Sequence, residues 1–347
     1  MNFLVTGGAG FIGANLCKKL ISEGHQVWVI DNLSPQVHGD DPTFSSSLHM
    51  LPSQVTLIVG DFTDLRSYVS LGGVEFDVLI HLAAETGTGQ SMYNAKKYFD
   101  VNVSGMAFLS DLIINKHIQK PKQIILASSR AIYGEAVSYK DIALSSEERD
   151  EPKPKSVYAL TKLMQEQILT EMFDNINDIN TCALRFQNVY GPGQSLKNPY
   201  TGIISIFTTA IKQNKPIQIF EDGLMTRDFV FVKDVVDAIV FCSGNKNVNG
   251  QVLNVGSGIQ TTVLDVVHTL AALLNPEIEI RVTGEKREGD IRHNYANMSK
   301  MKKLGFVPKF DFASGLKEFL QWQNQQVKPE SNYESSLEEM RKIGLLK

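Results

Sequence analysis

A tyrosine and a lysine four residues apart, in Tyr158-Ala-Leu-Thr-Lys162, carry the first chemical signal of this chain. On a helix such positions face the same way, with Cβ atoms about 5–6 Å apart. A phenol titrates near pH ~10 in water. An ammonium fixed beside it favours the phenolate and lowers that value, toward a base suited to neutral pH. Alone the pair is weak, because a tyrosine packed on a helix beside a solvated lysine is the commoner arrangement. Its weight comes from what precedes it. The run Gln123-Ile-Ile-Leu-Ala127 reads as a strand that delivers Ser128 and Ser129 at its carboxyl end. Ser129 is the expected partner of Tyr158, binding a substrate oxygen that loses or gains a proton. The plainer reading of either serine is a hydroxyl that caps a turn.

The elements that must position these groups begin at the amino terminus. Phe3-Leu-Val-Thr-Gly7-Gly-Ala-Gly10-Phe11-Ile12-Gly13 is an apolar strand running into three glycines at intervals of three. An amphipathic run follows, with Ile12, Leu16, Leu20 and Ile21 on one face. Gly7 lets the chain turn sharply, Gly10 lets a pyrophosphate approach the backbone, and Gly13 lets the helix pack closely on the sheet. The unpaired N–H groups and positive end of the helix then face the phosphates. The spacing departs from GxGxxG, and glycine triplets also mark ordinary turns. Context decides for a dinucleotide. A second apolar run, Val27-Trp-Val-Ile30, ends in Asp31, eighteen residues after Gly13. An acid there accepts hydrogen bonds from the adenosine ribose and repels a 2′-phosphate, so NAD is expected rather than NADP. The positive nicotinamide ring would further favour the Tyr158 phenolate. Lys162 could also bind the nicotinamide ribose.

Composition bounds the rest. At 347 residues the chain suits one large domain with a smaller lobe. An apolar fraction of 43% and a charged fraction of 21% are those of a soluble globular protein. A net charge of −4 without a basic tract points away from nucleic acid and from acidic membrane surfaces. No apolar run is long enough to span a bilayer, and the start reads as a strand, not a signal peptide. Cys17, Cys182 and Cys242 are scattered in apolar segments, the pattern of reduced, buried thiols in a cytoplasmic protein. The seven histidines form no metal spacing, and no metal is expected.

Strands and helices alternate along the chain. Strands are expected at Val55–Val59, Asp77–His81, Gln123–Ala127 and Thr181–Arg185, and helices near Asp64–Ser70, Met92–Lys116 and Ser156–Phe173. Apolar strands alternating with helices predict a Rossmann-type α/β fold, a doubly wound parallel sheet with ligands beyond the strands' carboxyl ends. Past Val189 the pattern loosens. It predicts a loop and then a helix over Asn198–Asn214, a strand over Arg227–Val232, and Asp234 capping the next helix. A strand at Val252–Val255, helices at Val263–Leu274 and Phe312–Gln323 and a strand at Ile278–Val282 follow. The expected division is a nucleotide-binding domain over 1–188, with 228–255 returning to it. A smaller α/β lobe would comprise 189–227 and 256–323, and 324–347 a linker and tail. Ser336–Leu345 could form a short amphipathic helix.

These pieces resemble the extended short-chain dehydrogenase/reductase family, in particular its nucleotide-sugar epimerases and dehydratases. The resemblance covers nearly the whole chain. It rests on Gly7–Gly13, Asp31, Gly60-Asp61, His81-Leu82-Ala83-Ala84, Asn102-Val-Ser-Gly105, Ser129, Tyr158 with Lys162, Arg185 to Gln194, Arg227-Asp-Phe229 and Arg287-Glu-Gly-Asp290. It implies tightly held NAD and a sugar-nucleotide substrate. Phe11, Ile12, Asn32, Phe62, Leu82, Ala83 and Ala84 would line the cofactor site. Asp61 would meet the adenine amino group, and Asn102 would support the active-site helix. Asn188, Arg227 and Arg287 match family positions that hold the diphosphate, and a guanidinium fork suits phosphate oxygens. The two long helices resemble a pair that forms a four-helix homodimer interface. Leu109, Leu112, Ile113, Leu163 and Ile168 are compatible with that role and equally with one subunit's core.

The 4,6-dehydratases of this family place Asp-Glu after the Ser/Thr, to move protons at C5 and C6. Arg130 and Ala131 stand there, and an alanine transfers no proton. The related decarboxylases keep a Glu at the Ala131 position, and NADPH-dependent ketosugar reductases fit poorly with Asp31. What remains is 4-epimerisation: Tyr158 takes the C4 hydroxyl proton as hydride leaves, the 4-keto sugar turns, and hydride returns to the other face. The loop Ala84–Met92 should border the sugar, with Thr86 and Thr88 toward ring hydroxyls. That loop, Ser128–Gly134 and Arg185–Gln194 look like the subgroup containing bacterial dTDP-L-rhamnose 4-epimerases. Arg130 departs from the small residue usual in UDP-galactose 4-epimerases. The alternatives are a dehydrogenase with exchangeable NAD, a 4,6-dehydratase, and a non-catalytic NAD-binding sensor.

Overall fold

The computed structural model describes residues 1–139, 142–174, 178–196, 202–326 and 333–347. Its central sheet has seven strands: β1 (Asn2–Thr6), β2 (Gln26–Asp31), β3 (Thr56–Val59), β4 (Val78–His81), β5 (Gln123–Ser129), β6 (Asn180–Phe186) and β7 (Gln251–Val255). They lie in the order β7-β6-β5-β4-β1-β2-β3. Every neighbouring pair is parallel. The winding reverses between β1 and β4, and a crevice opens there beyond the carboxyl ends. β4 and β5 are buried along their whole length, as strands covered on both faces must be. Alternation divides the core. Phe3 and Val5 join one apolar cluster, while Leu4 between them joins the other, with Ile30, Leu79 and Leu126.

Eight helices are needed below: α1 (Phe11–Ser22), α2 (Gly105–Ile114), α3 (Val157–Phe173), α4 (Ile203–Lys212), α5 (Val232–Cys242), α6 (Val263–Leu274), α7 (Phe312–Asn324) and α8 (Tyr333–Lys342). Short strand pairs lie over the crevice. Asn188–Tyr190 pairs with Phe229–Phe231, Thr226–Arg227 with Thr261–Thr262, and Ile217–Ile219 with Ile280–Val282. No described helix is long and apolar enough to cross a membrane.

Several expected elements differ. The helix expected over Met92–Lys116 is not one helix. A turn at Thr88–Ser91 and a helix at Ala95–Tyr98 lead into a π-helical stretch, Phe99–Ser104, before α2. The expected strand Arg227–Val232 breaks at Asp228. That buried carboxylate accepts hydrogen bonds from the N–H groups of Ser257, Gly258 and Ala296, and the chain passes there from one small sheet to another. Asp234 caps nothing. It lies within the first turn of α5 and accepts from the N–H groups of Lys309 and Phe310 at 2.7 and 3.1 Å. The helix expected near Asp64–Ser70 is a 3₁₀ stretch, Leu65–Leu71, capped by the Asp64 carboxylate. The expected loop from Asn198 and linker Asn324–Ser335 fall in part on 198–201 and 327–332, outside the described residues. Leu109, Leu112 and Ile113 are buried within the subunit's own core and present nothing to a partner.

Candidate active site

A cavity of about 540 Å³ follows the carboxyl ends of the strands, from the glycine turn to the small sheets. At its first end Gly7 has φ +72°, and a Cβ there would lie 2.7 Å from the Ala83 nitrogen. A Cβ on Gly13 would lie 2.5 Å from the Gly8 Cα. Neither place admits a side chain. Gly10 precedes α1 without a side-chain cap, so the first N–H groups of that helix remain open to an anion. The Asp31 carboxylate accepts from the N–H groups of Ala9 and Leu33 at 3.0 and 2.9 Å, tying the glycine turn to the end of β2. A side-chain-free turn, an uncapped helix start and an acid on the next strand fit a dinucleotide. Phe11, Ile12, Asn32, Phe62, Leu82, Ala83 and Ala84 line this half.

Two residues expected here do not line the cavity. Asp61 bends back, and its Oδ1 accepts from the Thr63 N–H and hydroxyl at 2.9 and 2.7 Å. Asn102 is wholly buried in the π-helical stretch. Its side chain accepts from the Glu85 N–H at 2.8 Å and donates to the Glu85 carbonyl at 3.1 Å and the Thr161 hydroxyl at 3.0 Å. It thereby joins the loop after β4 to α3. A π turn widens the helix by one residue and often marks a functional site. Gly105 follows it, and a Cβ there would lie 2.5 Å from the Phe62 ring.

The middle of the cavity holds Ser129, Tyr158 and Lys162. Ser156 opens α3, its hydroxyl accepting from the Ala159 N–H at 3.2 Å, and this places Tyr158 in the first turn. Ser129 ends β5 and caps the turn Arg130–Tyr133, close enough to act on the Tyr158 phenol. Burial pushes that phenol up, while Ser129 and the Arg130 charge pull it down. The spacing predicts Lys162 as the cation acting on Tyr158. Its Nζ donates to the Ala127 carbonyl at 2.9 Å, and the Arg130 charge acts on the phenol as well. Burial brings Lys162 down to about 7, against the pull of Glu166. Glu166 accepts from the Ser128 hydroxyl at 2.5 Å and from Arg185 at 2.9 and 2.7 Å, a buried network that fixes β5 against α3.

The far half gathers the arginines. Arg130 donates through Nε to the Asn188 side-chain oxygen at 2.9 Å, and its buried NH1 has no partner among the described residues. Arg227 ties one nitrogen to the carbonyls of Thr226 and Arg292 at 2.8 and 3.0 Å. Arg287 forms a fork on Asp290, both contacts at 3.0 Å. Burial lowers the pKa values of Arg130 and Arg227, and each also feels a neighbouring guanidinium. Thr86 and Thr88 line the wall after β4. Sequence reasoning missed Gln187, buried at the cavity with both side-chain amide atoms lacking a protein partner. It also gave no role to Asp228 or Asp290. Both lie inside motifs that were legible, and only the three-dimensional contacts distinguish them from ordinary loop acids.

A Rossmann sheet with serine, tyrosine and lysine gathered at its switch-point crevice defines a nicotinamide-dependent enzyme of the short-chain dehydrogenase/reductase class. The profile of the NAD dependent epimerase/dehydratase family matches residues 3–256. The chain belongs to this family, and its cofactor is NAD. A dTDP-L-rhamnose 4-epimerase of Burkholderia thailandensis is 37% identical, over 93% of this chain and 95% of its own. Two solved structures superpose over 94% of this chain. The UDP-glucose 4-epimerase of Thermotoga maritima with UDP-glucose has a TM-score of 0.83 at 30% identity and is covered over 99% of its length. The UDP-glucuronic acid 4-epimerase of Bacillus cereus with UDP-glucuronic acid and NAD has a TM-score of 0.80 at 27% identity and is covered over 100%.

Proposed function

We propose that the chain is an NAD-dependent nucleotide-sugar 4-epimerase acting on dTDP-L-rhamnose or a related dTDP- or UDP-hexose. The reading is carried by one juxtaposition. Ser129 and Tyr158 share a cavity with Arg130, Arg227 and Arg287, while Ala131 stands where dehydration would need an acid. The relative from Burkholderia thailandensis supports the sugar. Charge supports it too. Three guanidinium groups against Asp290 leave a positive surplus that a diphosphate neutralises without a charged sugar.

Bound NAD supplies the acceptor and donor of hydride at C4. Tyr158 removes the C4 hydroxyl proton and later returns it, and Ser129 holds the same oxygen through both steps. Lys162 and Asp31 bind ribose hydroxyls. Arg130, Asn188, Arg227 and Arg287 fix the diphosphate, so that the ketone turns about a held axis. Thr86 and Thr88 meet ring hydroxyls. The chain divides as its sequence suggests, into a cofactor domain over 1–188 with 228–255 and a substrate lobe over 189–227 with 256–323. It works in the cytoplasm, in carbohydrate biosynthesis.

The protein is proposed to be a homodimer through α2 and α3. A groove between them is lined by Ala107, Met164, Ile168 and Met172, with Asp111, Gln167 and Glu171 beside them. Ile168→Asp is expected to give monomers in sedimentation equilibrium, and an unchanged dimer removes this face from the interface.

The decisive experiment supplies dTDP-L-rhamnose and UDP-hexoses with no added nicotinamide. Turnover that appears only when NAD⁺ is then added and consumes it stoichiometrically, or a stable 4-keto product, overturns the epimerase. Tyr158→Phe should lose turnover by roughly 10²–10⁴-fold while keeping bound NAD. A variant that still turns over normally overturns the base assignment.

A further inference from the structure

The tail docks on the segments that carry the cavity residues Arg287 and Thr88. We propose that residues 337–347 buttress the substrate site from outside the cavity, positioning Arg287 so that the tail and the substrate diphosphate stabilise each other. The inference rests on the reading that Arg287 holds the diphosphate.

The tail meets the segment carrying Arg287 as a strand meets its neighbour. Arg287 and Leu346 form an antiparallel bridge. Lys286 donates to the Lys347 carbonyl at 2.7 Å and accepts from the Lys347 N–H at 3.0 Å, while the Glu288 N–H donates to the Leu345 carbonyl at 2.9 Å. One turn earlier, Arg341 sets a fork on Glu285 at 2.9 and 3.0 Å. Both neighbours of Arg287 are thus held by the tail. The rest of the segment is a loop with Gly289 at φ +82°, which has little stiffness of its own.

The tail also reaches the opposite wall. Met340 is buried, and a Cβ built on Gly89 would lie 3.4 Å from its sulfur and 3.8 Å from the Arg287 Cδ. Gly89 directly follows Thr88, which lines the cavity. The Tyr93 hydroxyl donates to Glu339 at 3.1 Å. Leu337, Met340 and Leu346 are the tail's buried apolar anchors. With so few, the tail is held mainly by the two walls it joins. A ligand that binds only the docked arrangement must favour docking, and docking must favour the ligand in equal measure.

The test uses the full chain with its bound NAD. Met340→Glu places a carboxylate in the buried contact, and Met340→Leu conserves it. Met340→Glu is expected to raise the KM for the nucleotide sugar about tenfold or more, as loss of a placed charge contact would. Its kcat and NAD content should stay near wild type, and Met340→Leu should behave as wild type. Combined with Arg287→Ala, Met340→Glu should add little further loss, because the tail acts through Arg287. An unchanged KM in Met340→Glu, beside a raised KM in Arg287→Ala, overturns the role of the tail alone. An unchanged KM in Arg287→Ala overturns the diphosphate reading beneath it. Should Met340→Glu not fold, hydrogen exchange of the wild-type protein decides. dTDP or UDP should slow exchange over residues 337–347, and exchange unaffected by either overturns the inference.

Discussion

Tyr158 sits under opposed influences. Burial raises its pKa, and the Ser129 hydroxyl and the Arg130 charge lower it. Even with burial bringing it down to about 9, the Arg130 guanidinium is still charged at neutral pH, where it is a positive neighbour of the phenol. Removing it takes away one of the influences that oppose burial, and the phenol's pKa must rise further. Because the base works deprotonated, the acid limb of kcat/KM should move to higher pH in Arg130→Met. Loss of activity should be greatest at low pH and should lessen as pH rises. A pH–rate profile checks this, and a limb that stays in place removes Arg130 from the activation of Tyr158. Arg130→Lys should not restore the limb fully, since an ammonium cannot keep the Nε contact to Asn188 while directing a second nitrogen inward.

At the scale of elements, Asn102 holds the loop after β4 to α3 from inside the π-helical stretch. Asn102→Ala orphans the Glu85 N–H and leaves the Thr161 hydroxyl and the Glu85 carbonyl short of a partner. Leaving buried polar groups unpaired costs on the order of 3 kcal/mol here. The urea midpoint should fall accordingly, and a midpoint within error of wild type would show that water replaces the side chain. The same stretch marks the limit of sequence reading. Parallel strands were legible as continuous apolar runs, and α3 as a helix over Ser156–Phe173, close to its observed Val157–Phe173. The glycine turn was legible because strand, glycines, helix and acid follow in order. The π turn was not, because its causes lie 17 residues before Asn102, at Glu85, and 59 after it, at Thr161. Spacing put Tyr158 and Lys162 on one face but could not say which neighbour the flexible lysine stem would reach. Nor could periodicity place the tail, whose partners are polar loop residues far away in the chain.

For the molecule as a whole, the site costs stability, and pH exposes the cost. Burial depresses Lys162 from 10.5 to about 7. Below about 7 the folded and unfolded chains both hold the proton, and the fold bears the full penalty of a buried ammonium. Between about 7 and 10.5 the unfolded chain binds a proton that the folded chain does not, so stability rises with pH. The displacement corresponds to on the order of 5 kcal/mol, an upper figure since water can reach an opened site. His81, brought down to about 3 by burial and the Lys162 charge, acts in a lower window and leaves this one clear. Buried tyrosines such as Tyr158, with raised pKa values, draw stability down only above pH ~10. Lys162→Met keeps the stem's bulk and removes the titration. Compared at equal NAD content, wild type should gain in Tm relative to Lys162→Met from pH 7 to pH 9.5, with the variant ahead at pH 6. Parallel curves would mean that Lys162 keeps its ammonium hydrated despite its burial, and that the contact to the Ala127 carbonyl opens in solution.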